Sequence, residues 1–372
     1  MQTLIVLSLI GIPLALLYAW GFRVLPREQW QILAAIPVAR ESDGTWRGVN
    51  VTWYGFFCAL GAAVAVAITL FLAASAGLGL PLLAISAALV APLVLMAARL
   101  MNRWVEGHGH GFTVGGGSFI GILLTPWIIG SLSRTSLGSE GADLILMSAL
   151  APAYVLGEGV GRLACLSFGC CYGRPIRSFP TPIQRWWQPL AVRFCGPLKK
   201  AVYAEGYANE PLVPVQAMTS VVLSVAGLAG IAAFLGGAYR LAMILPVLAS
   251  QGWRFLSEFW RSDDRGGGRL SAYQIMALMA AFYWTVVGVV WKGGALAIRP
   301  SPLTGAALVS SRSGLALVGA VAITVFIRMG ISTVTTARLS FGIEPSAVPS
   351  RFAGGSEGRR PLPGRRRLRC KA

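Results

Sequence analysis

Long runs of apolar residues recur along the chain and constrain its fold more than any other feature. A helix needs about 20 apolar residues to cross the roughly 30 Å hydrocarbon core of a bilayer. Nine segments approach this pattern: 3–20, 51–75, 80–100, 119–132, 144–165, 214–235, 241–255, 271–291 and 314–329. Only 12% of the residues are charged, against about 25% in soluble domains. The sequence therefore predicts an all-α, polytopic transmembrane helical bundle, and it argues against secreted scaffolds and cytosolic enzymes.

The polar intervals between these runs divide the chain into four parts. Residues 1–50 read as an N-terminal helix and a polar linker, and residues 51–291 as a body of about seven spans. The body contains a long loop, 174–212, whose arginines and tryptophans suit the headgroup region of a membrane. We expect an extra transmembrane segment in 292–336 and a basic, disordered tail in 337–372.

The net charge of +18 is concentrated where it favours a membrane rather than nucleic acid. Residues 351–372 hold eight basic residues and one acid. Such a tail favours the cytoplasmic side, next to anionic lipid. We therefore expect the membrane as a partner and no nucleic acid. Nine crossings would place the two termini on opposite sides, so the orientation stays open.

Charged residues inside two of the apolar runs are candidates for a functional site. A charge at the centre of a span costs about 2.5–3.5 kcal/mol even on the insertion scale, so it needs a partner or a purpose. Glu158 lies one turn before Arg162 in one run. In another, Arg254 is followed by Glu258 and Arg261, at spacings that share a helix face. Such a stripe is either a self-neutralising ion-pair ladder or an anion site, because arginine matches phosphate oxygens.

Glycines precede Arg162 at positions 157, 159 and 161. A dinucleotide fingerprint is excluded because no βαβ unit surrounds them. Small residues that let helices pack closely are the better interpretation. Next to Arg162, they would also let a lipid headgroup approach the backbone.

Four sequence blocks resemble those of the bacterial prolipoprotein diacylglyceryl transferases. The blocks are Trp53-Tyr54-Gly55, the run GGGSFIG at 115–121, the segment 161–174 with Gly161-Arg162 and Tyr172-Gly173-Arg174, and Arg254-Phe255-x-x-Glu258-Phe259-x-Arg261 followed by Gln274. Their order and spacing match over residues 51–291. The resemblance implies an all-helical body of seven spans in the bacterial inner membrane.

The resemblance further implies a transferase. Family members move the diacylglyceryl group of phosphatidylglycerol to the cysteine thiol in the lipobox of a prolipoprotein signal peptide, without a cofactor or metal. By match of motif, Arg162 and Arg254 would clamp the lipid phosphate, and Glu258 would orient an arginine. The implied substrate-binding residues are Tyr54, Gly161, Gly173, Gln216 and Arg261.

The sequence departs from the family at the positions that handle protons. The family histidine, a proposed base, falls at Ile120. The family asparagine becomes Cys165, and an acidic residue becomes Cys170 or Cys171. The three cysteines are either small packing residues or reactive thiols, and they lack the second ligand cluster usual for zinc.

Several alternatives follow from these departures. Glu158 is the first candidate for a base or an arginine partner, and His108 and His110 are the second. The chain could also act on another acceptor or lipid, or it could bind or transport lipid without catalysis.

Overall fold

The computed structural model describes residues 1–105, 114–136, 141–262, 270–291 and 299–339. The helices in these ranges are α1 Gln2–Val24, α2 Trp53–Ser75, α3 Leu80–Val105, α4 Val114–Ser133, α5 Ala142–Phe168, α6 Thr181–Trp187, α7 Lys200–Glu205, α8 Val215–Leu235, α9 Tyr239–Ser257, α10 Ala272–Val290, α11 Pro302–Ser310 and α12 Arg312–Gly330. The strands are β1 Ile32–Arg40, β2 Trp46–Thr52 and β3 Ile331–Leu339.

The predicted helical bundle is confirmed. Eight helices in the described ranges are long and apolar enough to cross a membrane. The ninth predicted segment lies on α9, which carries Arg240 and Arg254 and is less apolar. The short predicted segments were bounded too tightly: α4 begins at Val114, and α5 extends over 27 residues. The chain is thus a polytopic membrane protein.

Helix α5 is the central element of the bundle, with most of its residues buried. Helices α2, α8 and α9 surround it, and α10 packs on α9. Close packing depends on the glycines of α5, as expected. A Cβ atom added to Gly157 would lie 2.6 Å from the carbonyl oxygen of Gly61 in α2, and one added to Gly159 would lie 3.1 Å from the carbonyl oxygen of Ser220 in α8.

A three-stranded antiparallel sheet, in the order β1-β2-β3, was not anticipated from the sequence. Its first two strands lie mainly in the interval read as a linker, and β3 spans the end of the predicted extra transmembrane segment (331–336) and the start of the predicted tail (337–339). Strand β3 follows α12 directly, and this brings the backbone of Gly330 against Gly55 at the start of α2. The C-terminal helices α11 and α12 therefore pack on α2. The remaining tail, 340–372, lies outside the described residues.

The loop after α5 is anchored by a fully buried lysine. The Lys199 Nζ atom donates to the carbonyl oxygens of Leu25, at 2.9 Å, and Ser167, at 2.5 Å. These bonds connect the end of α1, the last turn of α5 and the loop. Burial lowers the pKa of Lys199 from 10.5 to about 7, and the carboxylate of Glu28 opposes the shift. A neutral amine keeps two N–H donors for the two carbonyl groups.

Replacing Gly157 with alanine should destabilise the bundle, because the added methyl group meets a backbone carbonyl that cannot move aside. Overpacking of this kind costs about 1–3 kcal/mol. Gly161→Ala is the matched control, since its Cβ atom would meet no atom within 4 Å. Thermal unfolding in detergent, followed by tryptophan fluorescence, should show a lower Tm for the first variant only. Equal Tm values for the two variants would contradict this packing.

The stability of the protein should rise with pH between about 7 and 10.5 because of Lys199. In that window the unfolded chain holds a proton that the folded chain has released, and proton release on folding favours the folded state as pH increases. The slope from one group is at most about 1.4 kcal/mol per pH unit. Lys199→Met should remove this contribution. A wild-type stability curve with the same slope as that of the variant would refute the buried neutral lysine.

Candidate functional site

Two arginines from different helices converge on one carboxylate in the centre of the bundle. Arg162 lies on α5 one turn after Glu158, and its Nη2 atom donates to Oε1 of that glutamate. Arg254 on α9 donates from Nη2 to the same oxygen at 2.6 Å. The side chains are 12% exposed for each arginine and 6% for Glu158. Because one negative charge serves two positive charges, the cluster carries an excess positive charge.

Tyr154, which was not among the predicted site residues, completes this cluster. It lies one turn before Glu158 on α5, and its hydroxyl donates to Oε2 at 2.6 Å. Both oxygens of Glu158 are therefore hydrogen-bonded. The spacing of four residues could have indicated this contact, but a tyrosine in an apolar run gives no signal of its own.

A small cavity lies beside the cluster, between α5, α8 and α9. Its charged lining consists of three arginines and two glutamates, and so carries one net positive charge. The lining residues are Glu158, Arg162, Cys171, Val215, Gln216, Thr219, Leu223, Ser250, Trp253, Arg254, Ser257, Glu258 and Arg261. The structure thus brings Arg162, Arg254 and Arg261 to one cavity.

Arg261 lies beyond the end of α9, and backbone pairing between two loop segments places it at the cavity. The segment after α9 pairs with the segment after α5, with Gly173 opposite Arg261. The amide of Arg174 donates to the carbonyl of Trp260 at 2.8 Å, and that of Ser262 to Tyr172 at 3.1 Å. Glu258 Oε2 and Arg261 Nη1 are 3.9 Å apart. Helix α9 ends at Ser257, so Arg254, Glu258 and Arg261 do not share one α-helical face as their spacing predicted, although Glu258 and Arg261 remain paired.

Three buried polar atoms that belong to cavity-lining residues have no hydrogen-bond partner among the described residues: Arg162 Nε, Arg254 Nε and Gln216 Oε1. A buried donor without a partner costs about 1–3 kcal/mol, more if charged. The Nε–H groups belong to the two guanidinium groups whose Nη2 atoms bind Glu158. An anion in this cavity would supply acceptors for these donors.

Two expected substrate-binding residues do not line the cavity. Tyr54 packs its ring edge-on against Phe168, with 5.8 Å between ring centroids, and its role in substrate binding stays a prediction. Gly161 lies on α5 near Gly61 of α2. Gly173 acts indirectly: an added Cβ would lie 2.2 Å from the carbonyl oxygen of Val213, so only glycine permits the pairing that positions Arg261.

Ile120, at the position of the family histidine, lies away from the arginine cavity. It lines a smaller apolar groove between α3 and α4 together with Val94 and Leu124. The start of α4 does approach the site, since a Cβ on Gly115 would lie 3.3 Å from Nη1 of Arg254. The other candidate bases, His108 and His110, lie outside the described residues.

Fold and site together define a multi-span membrane protein with a buried, arginine-lined cavity. Residues 45–291 match the family described as prolipoprotein diacylglyceryl transferase. That match covers more than half of the chain, and the chain belongs to this family.

Individual relatives are similar over a shorter stretch. Proteins from two strains of Dehalococcoides mccartyi, each named phosphatidylglycerol–prolipoprotein diacylglyceryl transferase, are 31% identical over 136 residues, covering 33% of this chain and 49% of theirs. A protein of the same name from a third strain is 29% identical over the same length. The chain spans about half the length of the curated relatives it matches.

Glu158→Gln should strongly destabilise the protein, because it leaves two buried guanidinium groups without a counter-charge. Removing one partner of a buried ion pair costs about 3–5 kcal/mol. Tyr154→Phe is the matched control, since it removes one hydrogen bond to the same carboxylate and keeps the ion pairs, at a cost of about 1 kcal/mol. Chemical unfolding in detergent micelles would measure both. Equal losses would show that the carboxylate does not hold the arginines.

Proposed function

We propose that this protein transfers the diacylglyceryl group of phosphatidylglycerol to the lipobox cysteine thiol of a prolipoprotein, in the bacterial inner membrane. The observation that carries the proposal is the convergence of Arg162 and Arg254 on one cavity, where neither Nε–H group has a hydrogen-bond partner in the described part of the chain. Family membership and the names of the relatives support the choice of lipid and acceptor.

The reaction requires a thiolate to displace a phosphate ester at a primary carbon. A carbon–sulfur bond forms, the carbon–oxygen bond to the phosphate breaks, and glycerol phosphate leaves with the electron pair. Negative charge therefore grows on the leaving phosphate. Fixed cations in a site that excludes water stabilise such charge strongly. Arg162 and Arg254 are buried and held in place before the lipid binds, so little reorganisation is needed.

Glu158 serves best as the residue that positions both arginines rather than as the base. Its two oxygens accept from Arg162, Arg254 and Tyr154. A carboxylate engaged in this way is a poor proton acceptor, since protonation would break the ion pairs. Glu258 has the corresponding position beside Arg261. Gln216 and Arg261, which also line the cavity, are suited to the glycerol headgroup and the phosphate.

A lipid-binding protein without transferase activity is the second candidate. The replacement of the family histidine by Ile120, which lines a separate apolar groove, favours it. This candidate keeps the arginine clamp and predicts phospholipid binding without a covalent product. The transfer assay described next distinguishes the two candidates.

The activity should depend on the geometry of the guanidinium groups and not only on their charge. Purified protein is incubated with phosphatidylglycerol vesicles and a lipobox peptide, and the diacylglyceryl mass gain is followed by mass spectrometry. Arg162→Lys and Arg254→Lys keep the charge but lose the planar fork, and each should reduce the rate by about a hundredfold or more.

The matched control for that assay is Arg240→Lys. Arg240 lies on the same helix as Arg254, but it donates to the carbonyl oxygens of Gly288 and Trp291 at the end of α10. This variant should keep the wild-type rate. A rate loss equal to that of Arg254→Lys would point to the stability of α9 rather than to phosphate binding. Lipid binding with no mass gain in the wild type would favour the second candidate.

A further inference from the structure

Three cysteines meet where α5 ends, in a turn that folds back over the last helical turn. Gly169 ends the helix in the left-handed conformation, with φ of 76°. The amides of Gly169 and Cys170 both donate to the carbonyl oxygen of Cys165, at 2.8 and 3.2 Å. These two bonds fold the chain back, so that residues 170 and 171 lie beside Cys165.

The backbone of this turn is strained and firmly held. Cys171 has a φ of 55°, one of two positive values for non-glycine residues in the described ranges. Such a conformation costs about 1–3 kcal/mol and persists only where the surroundings impose it. Here Gln216 donates from Nε2 to the carbonyl oxygen of Cys170 at 2.8 Å. Strain at a turn that collects three thiols indicates a use for the thiols.

The three sulfur atoms are close enough to share one metal ion. The Sγ atoms of Cys165, Cys170 and Cys171 all lie within 4.8 Å of one another. Tetrahedral zinc binds thiolate sulfur at about 2.3 Å, which places two ligand sulfurs about 3.8 Å apart. Each pair of sulfur atoms therefore needs to approach by about 1 Å at most to reach the spacing of zinc ligands. The spacing of the cysteines along the chain argued against a metal site, but the turn after α5 brings the three sulfur atoms close together.

We propose that these three thiolates bind a Zn²⁺ ion whose fourth position faces the arginine cavity and receives the acceptor thiol. Cys171 lines that cavity, so an ion held by its sulfur lies at the cavity wall. Three protein ligands with an open fourth position are the usual arrangement of a catalytic zinc. This inference rests on the proposed transferase function and supplies what the change from histidine to Ile120 removed.

The chemistry needs no base among the side chains. The acceptor thiol coordinates the ion and loses its proton to water, because coordination to zinc deprotonates a thiol. The sulfur then attacks the primary carbon of the lipid, its bond to the ion is replaced by the carbon–sulfur bond, and the phosphate leaves toward Arg162 and Arg254. No oxidant or reductant takes part.

The local charges suit this arrangement. Three thiolates and one Zn²⁺ ion carry one net negative charge. The cavity lining without Cys171 carries one net positive charge, from three arginines and two glutamates. The loaded site is therefore close to neutral before the anionic lipid enters.

The first experiment measures metal binding apart from activity. Purified full-length protein, stripped with a chelator, is titrated with Zn²⁺, and bound metal is measured by mass spectrometry of the elements. Titration with Co²⁺ gives a sulfur-to-metal charge-transfer band that reports thiolate ligands. Cys165→Ser, Cys170→Ser and Cys171→Ser should each weaken binding at least tenfold. Cys58→Ser is the matched control, since Cys58 is also a thiol but lies outside the cluster.

The second experiment measures transfer to the lipobox peptide by stripped protein, with and without added Zn²⁺. We expect loss of the mass gain on stripping and recovery with Zn²⁺ in wild type and Cys58→Ser, but not in Cys171→Ser. Transfer that survives stripping, or a protein that binds no Zn²⁺, overturns the inference and leaves the transferase proposal standing. So does a disulfide within the cluster under reducing conditions. A third outcome is possible: the wild type binds one Zn²⁺ ion, all three cysteine variants lose it, and no protein transfers the diacylglyceryl group under any condition. This outcome supports the metal site and refutes the transferase proposal.

Discussion

The ion-pair cluster around Glu158 is the interaction on which the rest of the site depends. Two guanidinium groups buried in an apolar bundle would be prohibitively costly alone. A single carboxylate lets both remain charged, and its position on α5 determines where α9 must pack. The cluster thus fixes the relative placement of two helices and also keeps cations in a region from which water is largely excluded.

The surrounding architecture follows from the need to bring α5 into close contact on several sides. Glycines at 157 and 159 let α2 and α8 approach the backbone of α5. The next residues on the same helix, Glu158 and Arg162, point into the cavity that this packing leaves. After the helix ends, the strained turn at Cys171 and the pairing of Gly173 with Arg261 close the cavity from one end. One short stretch of sequence therefore supplies both the packing and the chemistry.

Much of this could be predicted from the sequence, because bilayers impose a simple rule on apolar runs. The helices, the two charged clusters and the role of the glycines all follow from spacing within single helices. Contacts between helices do not: the bond from Arg254 to Glu158 joins residues 96 positions apart. The surroundings of Tyr54 could not be predicted for the same reason, since its motif says nothing about which side of α2 faces the cavity. The sheet was missed because β1 and β2 lie mainly in an interval that reads as a polar connection, while β3 follows α12 directly, where the sequence predicts a transmembrane segment and a tail.

The arginine clamp can be tested by determining a structure of the protein in nanodiscs that contain phosphatidylglycerol. We predict density for the lipid phosphate in the cavity between α5, α8 and α9, within hydrogen-bond distance of the Nε atoms of Arg162 and Arg254. Glu158 should keep its contacts with both arginines. A headgroup bound elsewhere in the bundle, with no contact to the two Nε atoms, would show that Arg162 and Arg254 do not bind the lipid phosphate.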